Sequence, residues 1–235
     1  AIFSTDGDGD RPLISDEKGN WLRGDVLGLL CSQLLRIEAL AVPVSCNTAI
    51  EQSKSFRKVV RTKIGSPYVI AEFAKLHNEY KNVAGFEANG GYILGSDISI
   101  NGKTLTALPT RDALLPVFIV LSQKQSVSAL LEKLPQRFTA SNRLQKFARE
   151  KSIELIESLK HDANNFVVQL GYEGIYELNT TDGMRITLEC GDIVHLRPSG
   201  NAPELRCYAE SNSQHKVNKL VSTVLNLISK EHKKL

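Results

Sequence analysis

The run DGDGDR, from Asp6 to Arg11, sets three carboxylates at alternate positions beside a guanidinium. Oxygen ligands in that arrangement suit a hard divalent cation, because Mg²⁺ demands short, near-octahedral oxygen contacts and usually shares its shell with a substrate phosphate. Asp6, Asp8 and Asp10 are the candidate ligands. Gly7 and Gly9 carry no side chain, so the backbone between the acids can turn tightly with positive φ and let them converge. Arg11 balances their charge or holds a phosphate oxygen. An acidic surface turn explains a single DGD triplet more readily than a five-residue alternation. An EF-hand loop matches Asp6, Asp8, Asp10 and Glu17 at its first, third, fifth and twelfth positions, but Arg11 stands where that loop needs glycine and Pro12 follows.

Two further loops carry polar groups of a complementary kind. In GFEANGG, Gly85 to Gly91, the Glu87 carboxylate can accept two sugar hydroxyls at once, and the Asn89 amide can both donate and accept. In RPSGNAPELR, Arg197 to Arg206, Arg197 offers a forked donor for a phosphate, Ser199 and Asn201 add neutral donors, and Gly200 lets backbone N–H groups turn inward as an anion nest. Each run by itself also reads as an ordinary Gly- or Pro-rich turn.

The elements that must position these loops follow from apolar periodicity. Asp25 to Ile37 places Val26, Leu27, Leu29, Leu30, Leu34 and Leu35 broadly on one face of a helix. Short apolar runs at 40–44 and 58–61 flank a helix at 48–55, a second helix starts at Pro67, and 83–86 reads as a strand. Strands alternating with helices predict a layered α/β domain with a largely parallel or mixed sheet. Residues 90–108 suggest an irregular hairpin turning at Asn101-Gly102, and 112–121 an apolar helix. The polar stretch Ser122 to Ser128 marks a domain boundary. Beyond it, a helix at 145–159, strands at 174–178, 184–189, 193–196 and 205–209, and an amphipathic helix at 214–230 predict a smaller α+β domain. Ala1, Ile2 and Phe3 look like the end of a buried strand entering the acidic loop.

Composition narrows the function classes. The chain has 235 residues, 42% hydrophobic and 23% charged, which is ordinary for a globular protein of one large or two smaller domains. Its net charge of +3 is scattered, the main basic cluster being Lys230, His232, Lys233 and Lys234, a solvated helix end without the aromatic-bearing stripe expected of a nucleic-acid binder. No apolar run reaches a membrane span. Cys31, Cys46, Cys190 and Cys207 show no CxxC spacing, so reduced thiols and a cytoplasmic setting are expected.

Taken together, the three loops resemble those of the α-D-phosphohexomutase family, which includes phosphomannomutase and phosphoglucomutase. A metal loop, a sugar loop and a phosphate loop occur in family order over essentially the whole chain, and GFEANGG and RPSGNAP look most like bacterial phosphomannomutase variants. The resemblance implies Mg²⁺ on Asp6, Asp8 and Asp10, Arg11 and Lys63 as active-site cations, Glu87 and Asn89 as sugar contacts, and Arg197, Ser199, Gly200 and Asn201 around the phosphate that is not transferred. It implies a mannose or glucose 1- or 6-phosphate as substrate, with no nucleic acid or membrane partner. It divides the chain into the end of a second mutase domain at 1–20, a third domain at 21–124 and a fourth at 125–235. Nothing here matches the loop of the family's phosphoserine, so the chain is expected to be the C-terminal part of a longer enzyme and inactive alone. The alternatives are a phosphoglucosamine mutase and a non-catalytic sugar-phosphate or metal-binding module.

Overall fold

In the computed structural model, residues 1–232 are described and fall into two compact units, the first Ala1–Gln136 and the second from Arg137 onward. Lys233 and Lys234 of the expected basic helix end lie outside the described residues.

The first unit opens with a short hairpin of β1 (Phe3–Thr5) and β2 (Pro12–Ile14), followed by helix α1 (Gly24–Leu34). Next come β3 (Ala39–Pro43), α2 (Ala49–Gln52), β4 (Lys58–Thr62), α3 (Ser66–Leu76), β5 (Val83–Phe86) and β6 (Tyr92–Leu94). The unit is completed by β7 (Ile98–Ile100), β8 (Lys103–Leu105), β9 (Leu108–Asp112), α4 (Leu115–Leu121) and α5 (Val127–Leu131). Its main sheet has the order β4-β3-β5-β6-β9, with β4, β3 and β5 parallel and β6 antiparallel to both of its neighbours, β5 and β9, which makes the sheet mixed. Strand alternation then divides the core. Leu40, Val42, Ala84, Phe86 and Leu94 meet α1, α4 and α5 on one face, while Ala39, Ala41, Val83 and Ile93 meet Val69, Phe73 and Leu76 of α3 on the other. A strand covered on both faces must be apolar throughout, and all of β3 is buried.

The second unit comprises β10 (Phe138–Gln145), α6 (Arg149–His161), α7 (Ala163–Gln169), β11 (Ile175–Asn179), β12 (Met184–Leu188), β13 (Ile193–Pro198), β14 (Glu204–Ser211) and α8 (Gln214–His232). The strands form one antiparallel sheet in the order β10-β14-β13-β12-β11. Met184, Ile186, Val194, Leu196, Leu205 and Cys207 pack against the helices. The alternate residues Arg185, His195, Arg197, Arg206 and Tyr208 therefore belong to the opposite face. Among the described residues no helix is long and apolar enough to cross a membrane, and all four cysteines are free, Cys190 alone of them exposed.

Several expectations need correction. Ile2 and Phe3 are exposed, because β1 pairs only with β2 at the unit's surface. The units divide after Gln136, later than the polar stretch at 122–128, because Val127, Leu130 and Leu134 pack into the first core. The helix expected from Asp112 begins at Leu115; Asp112 ends β9, and its carboxylate accepts from the N–H groups of Leu114 and Leu115. Residues 138–145 are a strand at the sheet's edge, and the helix expected from Gln145 starts at Arg149. The Asn101-Gly102 turn is as expected, with φ of 51° and 76°, but it joins the small β7–β8 pair, whereas Tyr92–Leu94 belongs to the main sheet.

Candidate functional site

Because β3, β4 and β5 are parallel, their carboxyl ends lie along one edge of the first sheet, the usual position for ligands in open α/β sheets. Lys63 directly follows β4, and the Glu87 loop directly follows β5. That loop is held by its own backbone: Glu87 N–H donates to the Gly91 carbonyl at 3.2 Å, and Gly90 N–H to the Glu87 carbonyl at 3.0 Å. The Asn89 Oδ1 accepts from Gly91 N–H at 3.3 Å, which leaves its NH₂ group as the free donor.

The acidic loop connects β1 to β2. Asp6 N–H donates to the Arg11 carbonyl at 3.2 Å, and Arg11 N–H returns to Asp6 Oδ1 at 3.2 Å, so the backbone closes beneath the three acids. Gly9 takes φ +76° in this turn, whereas Gly7 keeps an ordinary negative φ and the expected positive value is absent there. Asp6, Asp8 and Asp10 each place a carboxylate oxygen within 4.8 Å of the others. Arg11 spans two of them, with Nη1 3.2 Å from Asp6 Oδ2 and Nε 3.5 Å from Asp10 Oδ1.

Arg111, which no motif marks, joins this loop to the sugar loop. Its Nη2 lies 2.8 Å from Asp10 Oδ2 and its Nη1 4.0 Å from Glu87 Oε2. It reaches both from the end of β9 by lying across Gly91, where a Cβ would come within 2.7 Å of the Arg111 side chain. Burial pushes the Glu87 carboxyl above its usual range, Arg111 and Arg11 pull it back, and Asp10 raises it. Four carboxylates thus face two guanidinium groups, leaving excess negative charge, and Asp10 Oδ1 is buried without a hydrogen-bond partner. An all-oxygen, net-negative donor set with an unsatisfied buried oxygen fits Mg²⁺. Lys63 makes a contact of another kind. Its Nζ sits 5.9 Å from the centroid of the Tyr68 ring, within cation–π range.

In the second unit, Arg197 lies near the end of β13, and Ser199, Gly200 and Asn201 lie in the turn that leads on to β14. Ser199 is buried; its N–H donates to the Glu204 carbonyl at 2.9 Å and its Oγ accepts from Asn201 N–H at 3.4 Å. Gly200 departs from expectation: its φ is not positive and a Cβ there would meet nothing, so the turn does not depend on glycine's freedom. Arg197 lies directly opposite Arg206, and Arg206 opposite Arg143, so three guanidinium-bearing residues form a row across adjacent strands. Arg206 was legible only as the last letter of the motif; the strand register is what makes it Arg197's neighbour.

Comparison with known proteins matches both units to domains of one protein family. The description "Phosphoglucomutase/phosphomannomutase, alpha/beta/alpha domain III" matches residues 23–138, and that of the same family's C-terminal domain matches residues 134–227. The chain belongs to the phosphoglucomutase/phosphomannomutase family. A phosphomannomutase of Salmonella muenchen is 57% identical over 232 residues, covering 97% of this chain and 48% of that protein. Among solved structures, a phosphoglucomutase/phosphomannomutase family protein of Burkholderia thailandensis has TM-score 0.70 at 20% identity, covering 98% of this chain and 46% of that one. An Aspergillus fumigatus N-acetylphosphoglucosamine mutase, solved with GlcNAc-6P and magnesium, has TM-score 0.65 at 17% identity, covering 96% and 51%. These two show likeness of fold. The chain spans about half the length of the curated relatives it matches.

In the family's C-terminal domain, one buried histidine has a pH consequence. His195 Nε2–H donates to the Asp182 carbonyl at 2.6 Å, its ring stacks on Tyr208, and Nδ1 is buried without a partner. Burial, ahead of the opposing hydrogen bond to Asp182, lowers its pKa from 6.5 to about 4. Below pH 6.5 the unfolded chain takes up a proton that the native histidine refuses, so stability falls with pH until about 4 and then levels off. At pH 5 the loss is about 2 kcal/mol, at 1.36 kcal/mol per pH unit. Urea midpoints of the chain between pH 7 and pH 5 should show this decline, and His195→Gln should remove it there.

Proposed function

We propose that this chain supplies the metal-, sugar- and phosphate-binding part of a phosphomannomutase-like enzyme that interconverts hexose 1- and 6-phosphates. The single observation that carries the proposal is the cluster of Asp6, Asp8, Asp10, Arg11, Arg111 and Glu87 at the carboxyl edge of the first sheet. Mannose is favoured over glucosamine because the 57%-identical relative is named a phosphomannomutase, whereas the aminosugar mutase solved with magnesium shares 17% identity.

In this reading the phosphoryl donor is a phosphoserine supplied from outside residues 1–235, and the enzyme is cytoplasmic. Asp6, Asp8 and Asp10 hold Mg²⁺, which when bound neutralises charge developing on a transferring phosphoryl group. Glu87 accepts two sugar hydroxyls and Asn89 donates to another, so the ring is held in either orientation. Arg111 keeps the Glu87 and Asp10 carboxylates at a fixed separation, and Arg11 and Lys63 add positive charge. Arg197 grips the distal phosphate with its forked donors, aided by Ser199, Gly200, Asn201 and Arg206.

Two measurements test this. Mannose 6-phosphate should bind the chain in calorimetric titration, and Arg197→Ala should weaken it by about 30-fold, the value of a charge-assisted bidentate contact. In ³¹P NMR the intact enzyme should convert mannose 6-phosphate to the 1-phosphate faster than it converts the glucosamine compound. A faster glucosamine reaction would favour the phosphoglucosamine mutase alternative, and binding without turnover the non-catalytic module.

A further inference from the structure

The turn joining β11 to β12 takes no part in the chemistry proposed above. Residues 180–183 form it, and three contacts of Thr181, Asp182 and Gly183 fasten it to the sheet. Asn179 Oδ1 accepts from Thr181 N–H at 2.9 Å. The buried His195 ring donates to the Asp182 carbonyl, a carbonyl being able only to accept, so the tautomer follows from the bond. Gly183, at φ +81°, lies so close to β13 that a Cβ would come within 2.2 Å of the Leu196 carbonyl and 2.9 Å of Arg197 Cβ. The turn is therefore pressed onto the two residues that lead into the candidate phosphate loop.

What the turn presents there is a carboxylate. Asp182 Oδ1 lies 3.3 Å from Arg197 Nε, with both side chains largely buried. No other hydrogen bond from the Arg197 guanidinium is made among the described residues. A guanidinium carries its donors on two usable edges, and a carboxylate that engages Nε leaves the Nη pair for another anion. A free arginine side chain would have to give up rotamer freedom on binding phosphate; one already tethered has lost it beforehand.

We infer that Asp182 is a positioning residue: clamped by the 181–183 turn, it holds Arg197 by Nε so that the Nη edge is set to grip the phosphate of the substrate. The inference rests on the functional reading above and adds to it a residue that does not touch the substrate. Two effects oppose each other when Asp182 is removed. The nearby negative charge disappears, which favours an anion, and the tether disappears, which disfavours it. The fastening of the turn at three points argues that the tether dominates.

The test uses mannose 6-phosphate as the probe on the ¹⁵N-labelled chain, read by calorimetry and by the arginine Nε–H resonances. Asp182→Ala should bind the probe about tenfold more weakly, and Asp182→Asn, which keeps an acceptor oxygen, within about threefold of the parent. Because Asp182 acts through Arg197, the double variant with Arg197→Ala should bind no more weakly than Arg197→Ala alone. In the parent, the Arg197 Nε–H should exchange slowly with water and remain protected when the probe binds. That measurement needs no variant, so it decides the matter even if Asp182→Ala fails to fold. Unchanged or tighter binding by Asp182→Ala, additive losses in the double variant, or release of the Nε–H on ligand addition would each overturn the inference. Should Arg197→Ala bind as well as the parent, or the parent not bind at all, the functional reading falls and the inference with it.

Discussion

Replacing Asp10 with asparagine is expected to abolish divalent-metal binding at the acidic loop, with affinity for Mn²⁺ as probe falling by at least about 100-fold, because affinity at oxygen sites follows ligand charge. The substitution keeps the side chain's size and removes its charge, and Asp10 is the acid with most to lose. Its Oδ2 is bound to Arg111 and its Oδ1 is buried without a hydrogen-bond partner. With a neutral amide there, Arg111 loses its shortest ion pair and is free to turn toward Glu87. A second loss should follow in sugar binding, since Glu87 would then be occupied by the arginine. Asp8, exposed on the same loop, separates the two effects: Asp8→Asn should lose metal while leaving mannose 6-phosphate affinity without metal unchanged. Mn²⁺ relaxivity titrations of parent and variants measure the first effect and calorimetry the second. An Asp10→Asn chain that binds Mn²⁺ like the parent would remove the metal from the proposed function.

Arg111 also shows where sequence reasoning stops. The acids, Glu87 and Arg197 could be singled out as candidates because their three loops together resemble those of one family, although the Glu87 and Arg197 runs each also read alone as an ordinary turn. Arg111 lies in LPTRD, the whole of a short and largely exposed strand, and its position beside Asp10 comes from the pairing of Tyr92 with Asp112, a non-local fact. Asp182 is hidden in the same way, since its turn reads only as a hairpin end until β13 is laid beside it. The elements divide along a related line. The buried strands β3 and β5 and helices α1 and α8 were visible because burial imposes an apolar period. Strand β10, FTASNRLQ, sits at a sheet edge with only partial cover, so nothing forces its composition away from that of a loop. The domain boundary was displaced for the opposite reason. Ser122 to Ser128 is polar enough to suggest a linker, but the leucines after it return to the first core.

Gly24→Ala is expected to be the most damaging single-methyl addition in the first unit, costing about 3 kcal/mol or more and lowering its melting temperature by roughly 10 °C. Gly24 is the first residue of α1, and helix propensity alone would favour alanine there. Packing decides against it. A Cβ on Gly24 would come 2.0 Å from the backbone nitrogen of Gly90 and 2.3 Å from its Cα, and backbone cannot rotate aside as a side-chain tip can. Gly90 is itself at φ +99°, with its own Cβ direction closed by Pro12 at 3.2 Å, so the sugar loop is held between α1 and β2 with no slack on either side. The helix or the loop must shift, and the loop is the softer of the two. Glu87 and Asn89 would move with it, so the variant should lose mannose 6-phosphate affinity in addition to stability. Gly102→Ala is the control: unlike Gly24, that position has positive φ, +76°, but a Cβ there would meet nothing, so only the strain of about 1 kcal/mol is expected and binding should be untouched. Thermal unfolding and calorimetry on the two variants side by side distinguish a clash at the sugar loop from the general cost of removing a glycine. Equal losses in the pair would mean that the contact between α1 and the Glu87 loop does not control the site.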